Sequence, residues 1–176
     1  VMSGQSNSCV MAVDQRLVEC AYGEWTGKSL RELSKDKLWS SVQRQPSAVR
    51  FPGGEAMSDM SARAIAAVRD WDARMEAEQG IDAVWAAVSH GDVIKAILAD
   101  ALSMHLDSFQ RIVVDPASIS IVRYTAARPY LITANSTTVD LAAFLSPPPK
   151  KARSRRTKTS DDAEVGGGLG ASEAAD

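Results

Sequence analysis

The chain has 176 residues, of which 45% are hydrophobic and 24% are charged, with a formal net charge of -2. This length supports one hydrophobic core at the usual ~100 to 200 residues per domain, and the composition is that of a globular protein. The sequence contains no run of about 18 apolar residues that could cross a membrane, and no segment of it is typical of a secretory signal.

The two cysteines, Cys9 and Cys20, lie early in the chain. Their spacing matches neither a C-x-x-C pair nor a set of metal ligands, so we predict no metal site. Because proteins of the cytoplasm rarely keep disulfides, we expect two free thiols and a cytoplasmic location.

A capping box at Ser29 and Glu32 marks the start of the first predicted helix. In this motif the serine and glutamate side chains each accept a hydrogen bond from a backbone N–H group that the helix leaves free. We expect the helix to continue to about Gln43, and Pro46 should end it.

A longer helix is predicted over residues 55–79, after the turn F-P-G-G-E. Apolar residues recur along it every three or four positions, which is typical of one buried stripe, and Gly80 is placed to cap its C-terminus. The stripe consists of Met57, Met60, Ala64, Val68, Trp71 and Met75.

The apolar run at residues 83–89 predicts a buried strand that ends at His90. A helix should follow to about Leu102, with Asp92 as its N-cap. Ligands of α/β proteins collect at strand ends, and free N–H groups at a helix start attract anions. His90 is therefore a candidate for phosphate chemistry.

Two strands are predicted in the last part of the domain, over residues 118–124 and 130–135, with a turn at Arg128 and Pro129 between them. No internal repeat is visible. The alternation of helices and strands indicates an α/β domain over residues 1–145.

Residues 146–176 form a tail with almost no large apolar side chain, and we expect it to be disordered. Basic residues at 150–158 could neutralise the phosphates of a nucleic acid. Acidic residues follow immediately and no aromatic residue is interleaved, so we predict a solvated tail that does not bind nucleic acid.

Four segments occur in an order that is characteristic of one enzyme family. They are L-x-E-x-x-x-G-x-W-x-G at 17–27, F-P-G-G-E at 51–55, V-S-H-G at 88–91 and the closing strand that leads to Asn135. With these segments the chain resembles the histidine phosphatase superfamily, also called phosphoglycerate mutase-like, and looks closest to its actinobacterial phosphomutase-like branch. The resemblance implies a three-layer α/β/α fold.

The resemblance also implies two catalytic roles. Glu19 matches the general acid of the family, which protonates the leaving alkoxide. His90 matches the histidine that hydrogen-bonds the phosphate and stabilises the charge that develops in the transition state. Gly91 would let the backbone approach the phosphate closely at the start of the helix.

Three further residues match positions near the family's substrate pocket. Gly54 and Glu55 stand in the turn before the long helix, where Glu55 could equally stabilise the helix N-terminus. Asn135 follows the last strand, where asparagine is also an ordinary turn residue.

One departure from the family concerns the front of the chain. The family carries an R-H-G motif on its first, central strand and a further arginine later, and residues 1–15 contain neither histidine nor arginine. The nucleophilic histidine therefore has no counterpart here, and we expect His105, the second histidine, to be structural or exposed. We predict that the chain lacks the central strand and is inactive as given, either as a fragment or as a descendant that has lost the chemistry.

The resemblance implies a hydrolase or phosphomutase that acts on small phosphorylated metabolites through a phosphohistidine, without a metal or cofactor. The alternative is a non-catalytic module of the same fold that binds a phosphorylated ligand or a protein partner. The substrate and the oligomeric state stay open.

Overall fold

The computed structural model describes residues 11–137. The α-helices are α1 (Leu30–Leu33), α2 (Trp39–Arg44), α3 (Met57–Gln79) and α4 (Gly91–Ala101), and four short 3-10 helices lie at Gln15–Leu17, Gly23–Trp25, Pro46–Ala48 and Leu106–Arg111. Two strands, β1 (Ile119–Arg123) and β2 (Tyr130–Ser136), pair in antiparallel fashion. Cys9, the predicted domain boundary at residue 145 and the predicted tail lie outside the described residues.

The predicted capping box is confirmed at the start of α1. The Ser29 hydroxyl accepts a bond from the Glu32 N–H at 3.3 Å, and the Glu32 carboxylate accepts one from the Ser29 N–H at 3.0 Å. The prediction of one helix to Gln43 is wrong, because the chain leaves the helix after Leu33 and re-enters it at Trp39. The Asp36 carboxylate accepts a bond from the Leu38 N–H at 2.8 Å, which replaces helical bonding at the break.

The long helix α3 is confirmed, including its C-terminal glycine. Gly80 adopts a φ of 95° and its N–H donates to the Glu76 carbonyl at 2.8 Å. The apolar stripe is fully buried over its first three turns and half-buried at Trp71 and Met75. The buried residues are Met57, Met60, Ser61, Ala64, Ala67 and Val68.

The prediction of a buried strand at 83–89 is wrong for the described structure. The segment has no regular secondary structure, no strand among residues 11–137 pairs with it, and Val84 and Val88 are 91% and 94% exposed. An apolar run becomes a buried strand only when a neighbouring strand satisfies its backbone groups. The N-cap prediction is also corrected, because His90 caps α4 and Asp92 lies inside its first turn.

The two predicted strands near the end of the domain are confirmed within one residue at each boundary. In the hairpin Ile121 pairs with Thr133 and Val122 with Leu131, and an irregularity in register lies between the two pairs. Burial alternates along both strands, as expected for a sheet with one exposed face.

Aromatic residues join the segment that carries Glu19 to the turn before α3. The ring centroids of Tyr22 and Phe51 lie 5.1 Å apart in an edge-to-face arrangement, and those of Trp25 and Phe51 lie 5.3 Å apart. Trp25 is only 2% exposed. Such pairs stabilise a core beyond the area that they bury, so the segment is anchored although it contains little regular structure.

Two glycines let the same segments approach closely. A Cβ atom at Gly23 would lie 2.2 Å from the Pro52 carbonyl oxygen, and one at Gly54 would lie 2.1 Å from the Ala21 carbonyl oxygen. That Ala21 oxygen accepts a hydrogen bond from the Glu55 N–H at 2.9 Å. The backbone contact therefore excludes any side chain at either glycine.

Replacing Gly23 with alanine should destabilise the chain more than the same change at Gly27. Both residues have positive φ, at 55° and 76°, but a Cβ at Gly27 meets no atom within 4 Å. Gly27→Ala should cost about 1 to 2 kcal/mol through backbone strain, and Gly23→Ala about 1 to 3 kcal/mol more through overpacking. Urea unfolding of the two variants measures the difference, and equal costs would show that the two segments can move apart.

Candidate functional site

The two predicted catalytic residues are brought together. The Ser89 hydroxyl donates to the Leu17 carbonyl oxygen at 2.7 Å and so ties the segment before α4 to the segment that carries Glu19. The Nδ1 atom of His90 then lies 3.7 Å from the Oε2 atom of Glu19. The His90 side chain is 52% exposed, so a ligand can reach the pair from solvent.

Glu19 lies in surroundings that favour its neutral form. Its Oε1 atom accepts a bond from the Cys20 N–H at 2.9 Å and faces the Tyr22 hydroxyl at 3.4 Å. Burial raises the pKa of Glu19, while the Cys20 N–H and the nearby His90 act in the opposite direction. A carboxyl group must hold its proton to act as a general acid, and these surroundings assist that.

Behind Glu19, a tyrosine joins it to a second carboxylate. The Tyr22 hydroxyl donates to the Oδ2 atom of Asp92 at 2.9 Å, and the Nζ atom of Lys95 lies 3.6 Å from the other oxygen of Asp92. Burial and the adjacent Asp92 carboxylate raise the pKa of Tyr22 well above its ordinary range. The hydroxyl therefore keeps its proton and serves as a donor.

Arg63, on α3, holds the segment that carries Glu19. Its guanidinium donates to the carbonyl oxygens of Arg16 at 2.7 Å, Val18 at 2.9 Å and Glu19 at 3.1 Å. It also forms a two-bond pair with the Glu55 carboxylate, at 2.7 and 3.0 Å. One side chain thus satisfies three backbone acceptors that lie outside any sheet.

Glu55 supports the same segment from its other side. Its Oε1 atom accepts a bond from the Ala21 N–H at 2.8 Å, beside the close approach at Gly54. The bonds from Arg63 lower the pKa of Glu55, whereas burial raises the pKa of Glu19, so the two carboxyl groups are shifted in opposite directions. The contacts of Glu55 and Gly54 hold the backbone, and their role as pocket residues stays a prediction.

Asn135 and Gly91 have different surroundings. The Asn135 amide exchanges two hydrogen bonds with Asp115, at 2.7 and 2.8 Å, and its side-chain partners do not include Glu19 or His90. The residue adopts a φ of 53°, as asparagine tolerates in turns. Gly91 is the first residue of α4, next to His90, with open space where a Cβ would stand. A ligand role for either residue stays a prediction.

An anion at this site would meet few positive groups among residues 11–137. The free N–H groups in the first turn of α4 and the His90 ring are donors that lie at the pair. Arg16 is already bonded to Asp14 and Asp70, and Arg63 to Glu55. Within the same residues, no group of three or more His, Cys, Asp or Glu side chains is arranged to hold a metal ion.

The sequence analysis missed three residues of this site. Tyr22 stands inside the L-x-E segment, where a phenol three residues after the acid was a usable signal. Ser89 directly precedes His90, and the sequence pattern predicts it only as the last residue of a strand. Arg63 gave no signal, because its backbone partners lie about 45 residues away in the sequence.

The raised pKa of Glu19 should appear as a dependence of stability on pH. Between its ordinary value of 4.5 and its raised value, folded Glu19 binds a proton more tightly than unfolded Glu19, so stability falls as pH rises through this window. Glu19→Gln cannot ionise, so its stability relative to the natural chain should increase as the pH rises above the ordinary pKa of 4.5. Urea unfolding at several pH values checks this.

Glu32→Gln is a matched control for that measurement. The pKa of Glu32 is lowered by its bonds to Ser29, so its carboxylate stabilises the fold above its ordinary value and the variant should lose relative stability as pH rises. A Glu19→Gln curve that runs parallel to the Glu32→Gln curve would contradict the assignment.

Several solved structures share this fold. YhfR of Bacillus stearothermophilus is 23% identical, with a TM-score of 0.62 over 71% of this chain and 61% of that protein. A phosphoserine phosphatase mutant from Entamoeba histolytica, in complex with phosphoserine, is 20% identical, with a TM-score of 0.60 over the same shares, 71% and 61%. A mycobacterial glucosyl-3-phosphoglycerate phosphatase is 24% identical, with a TM-score of 0.61 over 73% of this chain and 66% of that protein.

The chain thus spans less than two thirds of the length of these proteins. Their likeness confirms the predicted phosphoglycerate mutase-like fold, of which residues 11–137 contribute the helices and the two-stranded sheet. A search of curated proteins found no match. The described helices include none that is both long and apolar enough to cross a bilayer.

The family itself is established by the sequence. The profile of the histidine phosphatase superfamily (branch 1) matches residues 2–137, which is most of the chain and includes both Glu19 and His90. The chain therefore belongs to the histidine phosphatase superfamily.

Proposed function

We propose that this domain binds and processes phosphate monoesters of small metabolites, with His90 as a donor to the phosphate and Glu19 as the general acid. The observation that carries the proposal is the 3.7 Å separation of His90 Nδ1 and Glu19 Oε2 beside the first turn of α4. Two structural neighbours are a phosphoserine phosphatase and a glucosyl-3-phosphoglycerate phosphatase, which supports a phosphorylated small molecule as the ligand class.

The two side chains have complementary tasks in phosphoryl transfer. Negative charge spreads over the equatorial oxygens of the phosphoryl group in the transition state, and a fixed donor such as His90 stabilises it. The leaving alkoxide needs a proton at the same moment, and burial, which raises the pKa of Glu19, favours the protonated form that can supply it. The same pair serves a hydrolase and a mutase, since both reactions protonate a leaving oxygen.

The nucleophile of this reaction has no assigned position in the sequence. His105, the second histidine, is 70% exposed, and its Nδ1 atom accepts a bond from the Asp107 N–H at 3.2 Å. These contacts cap the short helix Leu106–Arg111 and involve neither His90 nor Glu19. We therefore assign phosphate binding and proton donation to His90 and Glu19. The covalent step, formation of a phosphohistidine without a metal, would need the histidine of an R-H-G segment.

A ligand-binding module without turnover is the alternative, and it would use the same pair. We also propose a cytoplasmic location, where Cys9 and Cys20 would be free thiols.

Binding of inorganic phosphate to the 176-residue chain tests the proposal directly. The imidazole resonances of His90 should shift on titration with phosphate and those of His105 should not. Replacing His90 with alanine should weaken binding about tenfold or more, the usual effect of losing one hydrogen bond to a charged group. His105→Ala is the matched control and should bind normally. Equal responses of the two histidines would place the anion elsewhere and sink the proposal.

The acid role of Glu19 can be tested in a version of the chain that carries an R-H-G segment at its N-terminus. A missing proton donor matters most when the leaving group is a basic alkoxide, so Glu19→Gln should keep far more activity on an aryl phosphate than on an alkyl phosphate. Turnover of both substrates measures this. Equal losses would leave Glu19 as a residue that only positions the ligand, and no turnover before substitution would favour the binding module.

A further inference from the structure

We propose that Tyr22 and Asp92 are positioning residues that help Glu19 to keep its proton, which then lies on Oε2, the Glu19 oxygen that faces His90. Asp92 does so by keeping the Tyr22 hydroxyl away from Glu19. The inference rests on the proposed function of Glu19 as a proton donor, and it adds how the protein directs that proton toward the ligand.

The Tyr22 hydroxyl lies between two carboxylates and has one proton to donate. Tyr22 lies 2.9 Å from Asp92 Oδ2 and 3.4 Å from Glu19 Oε1. Hydrogen bonds from hydroxyl groups have lengths of about 2.5 to 3.0 Å, so only the contact with Asp92 is a full bond. The Asp92 carboxylate therefore accepts the hydrogen bond from the Tyr22 hydroxyl, and Glu19 lacks a donor that would have stabilised its charged form.

Asp92 is well placed to compete for this hydroxyl. It lies in the first turn of α4, where the partial positive charge of the helix end attracts a carboxylate. Its second oxygen lies 3.6 Å from the Lys95 ammonium group. Both features keep a negative acceptor opposite Tyr22. The same negative charge also repels a charge on Glu19.

The two oxygens of Glu19 then differ in their partners. Oε1 accepts the Cys20 N–H at 2.9 Å, and an oxygen that already accepts a backbone bond is the better carbonyl oxygen. Among residues 11–137 no backbone N–H donates to Oε2, which lies on the side of His90. A proton on Glu19 therefore sits on Oε2, where a leaving oxygen bound at His90 can receive it.

No other charged group in the described structure disturbs this arrangement. On α3, Arg63 donates to the backbone carbonyl of Glu19 and not to its carboxylate, and its charge is paired with Glu55. Tyr22 and Cys20 face Glu19 from its own segment, and His90, Asp92 and Lys95 belong to the start of α4.

The test is a titration of Glu19 in the full 176-residue chain without ligand. Glutamate labelled with ¹³C at the side-chain carboxyl reports each midpoint, and Glu19→Gln assigns the resonance. Asp92→Asn should lower the midpoint of Glu19, because the Tyr22 hydroxyl becomes free to donate to its carboxylate and a like charge is removed. Asp92→Ala, which removes the acceptor altogether, should lower it further.

A double-mutant cycle separates the freed hydroxyl from simple charge repulsion. In Tyr22→Phe no hydroxyl can be freed, so Asp92→Asn should lower the Glu19 midpoint less in that background than in the natural chain. A shift of equal size in both backgrounds, or no shift, would overturn the inference.

Two control variants and one control resonance show whether a change in the Glu19 midpoint comes from a general loss of structure. Asp100→Asn removes a charge from the same helix, and Tyr124→Phe removes another phenol, and both should leave the Glu19 midpoint in place. The Glu32 carboxyl, whose side-chain partner is Ser29, should keep its midpoint in every variant. Failure of phosphate to bind would refute the proposed function without affecting this cycle.

Discussion

The Arg63 guanidinium is the group on which the rest of the site depends. No strand among residues 11–137 pairs with the backbone from Arg16 to Ala21, and three of its carbonyl oxygens, those of Arg16, Val18 and Glu19, depend on a side-chain donor. Arg63 supplies that donor from a rigid helix, and its fixed planar fork reaches three carbonyl groups and Glu55 together. The position of Glu19 is therefore set by α3, although the residue itself lies in an irregular segment.

The two glutamates held by this arrangement show how surroundings divide chemically identical groups. The Arg63 guanidinium lowers the pKa of Glu55 and stabilises it as an anion, whereas burial and the nearby Asp92 carboxylate raise the pKa of Glu19. The two carboxylates bind consecutive backbone N–H groups of the same segment: the Cys20 N–H donates to Glu19, and the Ala21 N–H donates to Glu55. A site that needs both a rigid frame and a proton donor obtains them from the same residue type.

The sequence predicted the features that depend on neighbours along the chain. The capping box at Ser29, helix α3 and the hairpin follow from local patterns, and the resemblance to the family implied that Glu19 and His90 belong to one site. Features that depend on distant partners escaped prediction. An apolar run such as 83–89 looks like a buried strand whether or not another strand pairs with it. The residues near Arg63 in the sequence do not indicate which carbonyl groups it binds.

Segment 83–89, which pairs with no strand among residues 11–137, leads to His90. The free energy of local opening should therefore be lower on the His90 side of the site than on the Glu19 side. Glu19 is held by Arg63 from α3, whereas the described contacts of segment 83–89 are mainly those of two side chains, the bond from Ser89 to Leu17 and the packing of Trp85 on Trp71. Regions with few backbone bonds and exposed apolar side chains open at lower free energy than packed helices. His90 thus belongs to the less stable unit, and a phosphate bound between it and Glu19 would join the two units and couple their opening.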